Sequence, residues 1–299
     1  METHILFLKI ACFTHDACMK KEPGRKRKMI SLAIDTTSVC ASCAVLQDTN
    51  LLAESFLHGG LSHSETMLCM IDQMLENLSI KTKEIDLFAL TTGPGSFTGV
   101  RIGVSLVKGL AFGTGKPCVG VSTLDVLAAQ CLGTNNDSFI VPVMDARRAQ
   151  VYTALYHPTH IRCSLDEYLD TTYAETQEND TLLSPNDVLG KCSPEQAISI
   201  SELEEQIRAS SLVPLFVGDG CDAVKQNTTL SNVTYAPKAI RFQRAYHIGL
   251  CALLQYRYAL SLGKQNLYTD LLLKPVYLRQ SQAERQRAKQ ENVQLKNHE

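Results

Sequence analysis

The sequence lacks most of the features that name a reaction. Its glycine-rich stretch at 93–103 has no Lys-Ser/Thr ending and is not Gly-x-Gly-x-x-Gly in a dinucleotide-binding setting, so Walker and Rossmann sites are both excluded. There is no Gly-x-Ser-x-Gly elbow, no His-Glu-x-x-His, and nothing local that pairs a Cys or Ser with a base. Long apolar runs are missing too: Ile5-Leu6-Phe7-Leu8 is too short for a membrane span and is followed by basic Lys20, Lys21 and 25–28. Charge of one sign is also absent, with 29 Lys or Arg against 31 Asp or Glu. A net charge of −2 gives no overall electrostatic reason to bind nucleic acid or an anionic membrane. If RNA is the final substrate, a partner should hold it.

What is present is enough apolar material for a sizeable fold. At 299 residues, 44% of them hydrophobic, the chain can build one large core or two packed lobes. Eleven cysteines run from Cys12 to Cys251 with no secretory signal before them, which points to reduced thiols and a cytoplasmic protein. Cys40 and Cys43 form a Cys-x-x-Cys, but within a strand-like run and with no second pair at zinc-like spacing, so buried, inert thiols are expected. His58 and His63 read as solvated or capping residues rather than a metal pair. Residues 1–28 hold seven Lys or Arg and three Asp or Glu, and read as a disordered extension or a mis-assigned start, with an RNA-binding basic arm as the sharper alternative. Without them the remainder carries −6.

Apolar patterning predicts an α/β protein. Strands are expected at 30–35, 40–46 and 51–56, then a helix from Ser62, capped by Ser62 with Glu65 at the third position. A strand at 86–92 runs into Gly93-Pro94-Gly95-Ser96-Phe97-Thr98-Gly99 and a helix to about Gly113. That helix is apolar on two faces, Val100/Val104/Val107/Ala111 and Ile102/Leu106, so one face suits its own sheet and the other a partner chain or a second lobe. A strand at 117–121 leads to a helix capped by Ser122 or Thr123; strands at 139–148, 151–156 and 215–220 and a helix at 245–262 follow. The polar stretch 157–200 reads as an insertion and 283–299 as a charged, frayed tail. The expected lobes are 29–130 and 131–265, followed by a C-terminal segment at 266–299.

Three turns could handle phosphate: Asp35-Thr36-Thr37-Ser38, the glycine-rich turn with Gly93, Gly95, Ser96 and Thr98, and Gly218-Asp219-Gly220. An acidic residue followed by small hydroxyls can hold a hydrated metal and phosphate oxygens, and a glycine turn opening a helix aims N–H groups at an anion. Each of these, taken singly, is more often only a turn.

Together the motifs resemble one family. Ile34-Asp35-Thr36-Thr37-Ser38, His63-Ser64-Glu65, the eleven residues from Gly93 to Gly103, Gly120-Val121-Ser122-Thr123-Leu124, Met144-Asp145-Ala146-Arg147-Arg148, Val151-Tyr152, Gly218-Asp219-Gly220 and Pro275-Val276-Tyr277-Leu278-Arg279 are similar to the TsaB (YeaZ) family over about residues 29–280. The resemblance implies an actin-like ATPase-domain fold of two related lobes. It implies a non-catalytic subunit beside the paralogue TsaD, with TsaE as ATPase and TsaC supplying threonylcarbamoyl-adenylate. The product would be N6-threonylcarbamoyladenosine next to the anticodon of tRNAs reading ANN codons. In TsaD the matching segment carries His-His-Leu-Glu-Gly-His, whose second and last His bind metal; here those positions are Thr123 and Leu127, and leucine cannot ligate.

The resemblance also places the TsaD interface on the helices at 62–78 and 98–111, with Met67, Met70, Ile71, Met74, Arg101, Ile102, Ser105, Leu106 and Gly109 as candidates. It implies a homodimer when the chain is alone, indirect contact with tRNA, and no required cofactor beyond weak or partner-shared ATP or ADP at Asp35, Thr36, Thr37 and the glycine turns. A catalytic threonylcarbamoyltransferase or ATPase of this fold is the alternative, with a glycoprotease-type metallopeptidase behind it.

Overall fold

The computed structural model describes residues 28–60, 62–133, 139–159, 161–175, 182–210 and 212–279. The expected extension at 1–28, apart from Lys28, and the expected tail lie outside these residues.

Two five-stranded sheets carry the same connectivity. In the first lobe, β1 (Ile30–Asp35), β2 (Ala41–Gln47) and β3 (Asn50–Leu57) form an antiparallel meander, and β4 (Leu87–Gly93) and β5 (Cys118–Ser122) add in parallel to give β3-β2-β1-β4-β5. In the second, β6 (Phe139–Asp145), β7 (Gln150–Thr153) and β8 (Gln196–Ser199) form the meander, and β9 (Pro214–Val217) and β10 (Thr234–Tyr235) add in parallel. This duplicated arrangement is the actin-like ATPase-domain fold that the motifs imply.

Apart from its edge strand β3, the first sheet is buried on both faces, and the two-residue period of its strands sorts side chains between two cores. Leu32, Ile34, Cys43, Val45, Phe88 and Leu90 meet α1 (His63–Asn77) and α2 (Phe97–Thr114). Ala33, Ala44, Leu46, Leu87, Ala89 and Val119 point the other way, toward α8 (Ala245–Ser261). That second core is shared by both lobes. It includes α3 (Thr123–Ala129), α8, Leu165 and Leu169 of α4 (Leu165–Glu175), Val188 and Leu189 of α5 (Pro185–Leu189), and Ile140, Met144 and Tyr156 from the second sheet's side. On the outer face of the second sheet, Val141, Val143 and Phe216 pack on α6 (Ile200–Arg208) and α7 (Cys221–Asn227).

Alternating helix and sheet layers result, with α3 and α8 in the middle. The helix α8 falls within the second lobe by sequence yet packs on β1, β2, β4 and β5, so the lobes do not part at one point in the chain. Its ties to the first sheet are polar at the rim: Arg244 reaches Glu54 at 2.5 Å and Arg257 reaches Asp48 at 3.5 Å.

Two expectations need correction. The stretch 157–200 is not simply an insertion: it supplies β8, which pairs with β7, and the apolar faces of α4 and α5. Short elements with few apolar residues hid this. Ser62 does begin α1, but its hydroxyl lies 2.7 Å from Ser64 Oγ and caps no backbone N–H.

Candidate functional site

The two lobes place equivalent turns at the strand ends facing the cleft. Asp35 ends β1 and Asp145 ends β6. The fourth strands in order of succession behave alike: β4 ends at Gly93 with φ 120° and β9 is followed by Gly218 with φ 123°, a region that favours glycine.

Asp35 is 1% exposed. Its Oδ1 accepts from the Thr37 backbone N–H at 3.2 Å, the Thr37 hydroxyl at 2.6 Å, and the Thr91 hydroxyl. Its Oδ2 is buried with no protein partner. Burial outweighs these donors and raises its pKa above the ordinary carboxylate value, with the nearby His63 pulling the other way. His63 sits at the start of α1 with Nε2 2.9 Å from the Ser38 carbonyl, while His58 packs against Phe242 with ring centroids 5.0 Å apart. The two histidines therefore serve different contacts and share none.

The glycine-rich turn works differently from a phosphate loop. Two of its donors are already used within the protein: Ser96 N–H donates to the Thr37 carbonyl at 2.7 Å, and Gly99 N–H to the Ser96 hydroxyl at 3.2 Å. Thr36 donates its hydroxyl to the Gly99 carbonyl at 2.7 Å. A methyl on Gly95 would stand 2.5 Å from the Thr37 carbonyl oxygen and one on Gly103 2.5 Å from Thr36 Oγ1, while one on Gly99 would overlap the Thr36 carbonyl. These glycines let α2 lie directly on the Asp35 turn, and that close approach explains the motif. Ser96 and Thr98 are exposed at the rim.

The second lobe contributes Asp219, whose Oδ1 accepts from Asp145 N–H at 3.1 Å. Gly220 N–H donates to Val143 at 3.0 Å, and a side chain on Gly218 would collide with the same carbonyl. Burial pushes the Asp219 carboxyl up to about 6, and Asp145 and Asp35 add to the rise. Three carboxylates thus bear on the cleft. Arg147, paired with Asp145 at 3.4 Å, and exposed Arg148 are the cations on the adjoining turn. A polyphosphate there would meet repulsion unless it brought a cation of its own.

Thr123 and Leu127 are fully buried in the shared core, and Thr123 Oγ1 has no partner. Neither side chain faces solvent. Next to them, Asp125 accepts from Tyr156 OH at 2.7 Å and pairs with Lys191 at 2.9 Å, fixing α3 against the second lobe. Among the described residues, no cluster of three or more His, Cys, Asp or Glu could hold a metal. Burial pushes the Cys40 and Cys43 thiols up to about 12, as inert packing thiols require.

Of the expected interface residues, Met67, Ile71 and Met74 turn into the first lobe's core at 1%, 1% and 5% exposure and cannot offer a free surface. Periodicity marks an apolar face without saying which side of the helix it lies on. Arg101, Ser105 and Gly109 are exposed on α2, and Met70, Ile102 and Leu106 are half-buried. Leu68 and Phe112, which the sequence reading did not select for this face, are 46% and 82% exposed. Sequence reasoning also missed Thr91, whose hydroxyl reaches Asp35 across two strands distant in sequence.

A family model described as TsaD, tRNA N6-adenosine threonylcarbamoyltransferase, matches residues 59–287. The TsaB protein of Haemophilus influenzae is 28% identical over 253 residues, covering 83% of this chain and 92% of that protein. TsaB of Bacillus subtilis is 38% identical over 128 residues, but the match spans only 43% of this chain and 55% of that protein. The chain belongs to this family, on its TsaB (YeaZ) branch. Both relatives are described as tRNA threonylcarbamoyladenosine biosynthesis proteins. A solved structure of YeaZ from Pseudomonas aeruginosa superposes with a TM-score of 0.61 at 22% identity, covering 84% of this chain and all of that one, which gives the fold. Among the described residues, no helix is long and apolar enough to cross a membrane.

Proposed function

We propose that this chain is a non-catalytic subunit that docks on TsaD and supports formation of N6-threonylcarbamoyladenosine next to the anticodon of tRNAs reading ANN codons. The observation that carries the reading is the burial of Thr123 and Leu127, at the positions of the TsaD metal ligands, inside an apolar core. With no imidazole at these two positions, neither can hold a metal to polarise the transferred carbonyl. The docking face is the outer side of α2, where Arg101, Ser105 and Gly109 are exposed. TsaE acts on the assembly as its ATPase, TsaC supplies the threonylcarbamoyl-adenylate, and tRNA is held mainly by the partner. Alone, the chain pairs with a second copy through the same face.

Nucleotide contact is secondary in this proposal. The unpartnered Oδ2 of Asp35 favours a polar contact at the cleft, but with the Ser96 and Gly99 N–H groups already used within the protein, weak or partner-shared ATP or ADP is favoured over a dedicated site.

Light scattering on a gel-filtration column tests the assembly. The chain mixed with its organism's TsaD is expected to elute as a heterodimer. Ser105→Glu, which sets a charge on the exposed face of α2, is expected to restore separate peaks without changing the melting temperature. Separate peaks for the native pair would refute the docking reading.

A further inference from the structure

The C-terminal segment 268–279 is fastened firmly to one lobe and lightly to the other. On the first lobe, the Tyr268 carbonyl accepts from Cys118 N–H at 3.1 Å, Leu273 is 6% exposed against Gly120, and Val276 N–H donates to the Thr92 carbonyl at 2.8 Å. Gly93 has no room for a side chain because the Val276 carbonyl lies against it. The Tyr277 ring stacks on Phe97 with centroids 4.0 Å apart and planes 12° from parallel, and its hydroxyl accepts from Arg101 Nε at 2.9 Å. Two residues on, Arg279 Nη1 donates to the Ala146 carbonyl at 2.6 Å. Ala146 belongs to the second lobe's turn, beside Asp145 and its three successive positive-φ residues Arg147, Arg148 and Ala149.

We infer that Pro275–Arg279 is a latch: it crosses the mouth of the cleft and, through the Arg279–Ala146 bond, holds the Asp145 turn toward the Asp35 turn. The asymmetry is the argument. Stacking, a backbone bond and a buried leucine secure the segment to the first lobe, and Tyr268 meets Tyr256 of α8 in the shared core, whereas the hydrogen bond found to the second lobe's cleft turn among the described residues is the guanidinium–carbonyl bond of Arg279. A charge-assisted bond is strong enough to bias an equilibrium between two arrangements and weak enough to break. The inference stands on these contacts and not on the TsaD reading. The Tyr277 anchor does lie on α2 against Arg101, so whatever covers that face would touch the latch.

Cys40 offers a built-in reporter. It is fully buried, and both Asp35 and Asp219, from opposite lobes, bear on its thiol. Alkylation of the full-length chain, read site by site by mass spectrometry, is compared with Cys251, which is 2% exposed in the core around α8. In Arg279→Ala, Cys40 is expected to react about tenfold faster, the scale of one lost charge-assisted bond. The Ala146 and Gln150 amides are expected to exchange faster, and Cys251 to stay unchanged. Arg279→Gln, which keeps a donor without the charge, is expected to fall between the two and guards against a folding defect in the alanine variant. Native rates for Cys40 in both variants would overturn the latch. So would equal acceleration of Cys40 and Cys251, since that would mark a loss of general stability.

Discussion

The two lobes repeat one backbone and fill it with different chemistry. In the first, the turn after Asp35 is sealed: Gly95, Gly99 and Gly103 bring α2 against Thr36 and Thr37, and the carboxylate is 1% exposed. In the second, the turn after Asp145 stands open, with Asp145, Arg147 and Arg148 all exposed, and the glycines that follow β9 wrap the end of β6. A duplicated fold thus keeps its strand order while one half becomes packing and the other remains surface. Motifs that look alike as phosphate turns need not be so in both halves.

The sharpest way to break this comparison is at the sealed turn. Gly99→Ala places a methyl onto the Thr36 carbonyl and is expected to cost about 3 kcal/mol or more, measured by denaturant unfolding. Gly109→Ala, on the same helix with open space around it, is expected to be neutral or stabilising by up to about 1 kcal/mol. Equal effects would mean that close approach is not why the motif is rich in glycine.

Next in size is the tie between the lobes. Lys191→Ala leaves the carboxylates of Asp125 and Glu195 without their shared cation in a largely buried site, and a loss of roughly 2–3 kcal/mol is expected from thermal unfolding. A change below about 0.5 kcal/mol would show that the shared apolar core alone fixes α3.

A smaller effect is expected for cleft acids. Asp219 has its folded pKa raised from 3.8 to about 6, so the folded state holds its proton more tightly than the unfolded chain. This group therefore disfavours folding above that range, and the loss develops as pH rises from about 4 to 6. Asp219→Asn is expected to be more stable than the native chain at pH 7 by about 1 kcal/mol, with the gain shrinking toward pH 4. Asp35→Asn is expected to shift stability in the same direction, because asparagine retains an oxygen for the three donors that Asp35 Oδ1 accepts. A gain that grew toward pH 4 would reverse the assigned sign.

Much of the fold was legible in the sequence because each strand announces itself locally. Ile30–Asp35 and Leu87–Gly93 are short apolar runs that end at polar or glycine turns, and Ser122 caps α3 as its position suggests, accepting from Leu124 N–H at 3.1 Å. What was not legible depended on contacts distant in the chain. Nothing in Gln196–Ser199 says that it will pair with β7, and nothing in Met67 or Ile71 tells a core-facing methionine or isoleucine from an interface one. The candidate site was half readable. Asp35 and Asp219 were selected by residue type, whereas the role of Gly95 and Gly99 as contact points for Thr36 and Thr37 needed the positions of both segments.

The central proposal is that this chain supports the transfer without carrying it out. It is tested most directly by incubating the purified chain with threonylcarbamoyl-adenylate and unmodified tRNA, with and without added iron or zinc, and measuring N6-threonylcarbamoyladenosine by mass spectrometry. The account predicts no product in either case and product once TsaD is added; modified tRNA from this chain without TsaD would contradict it.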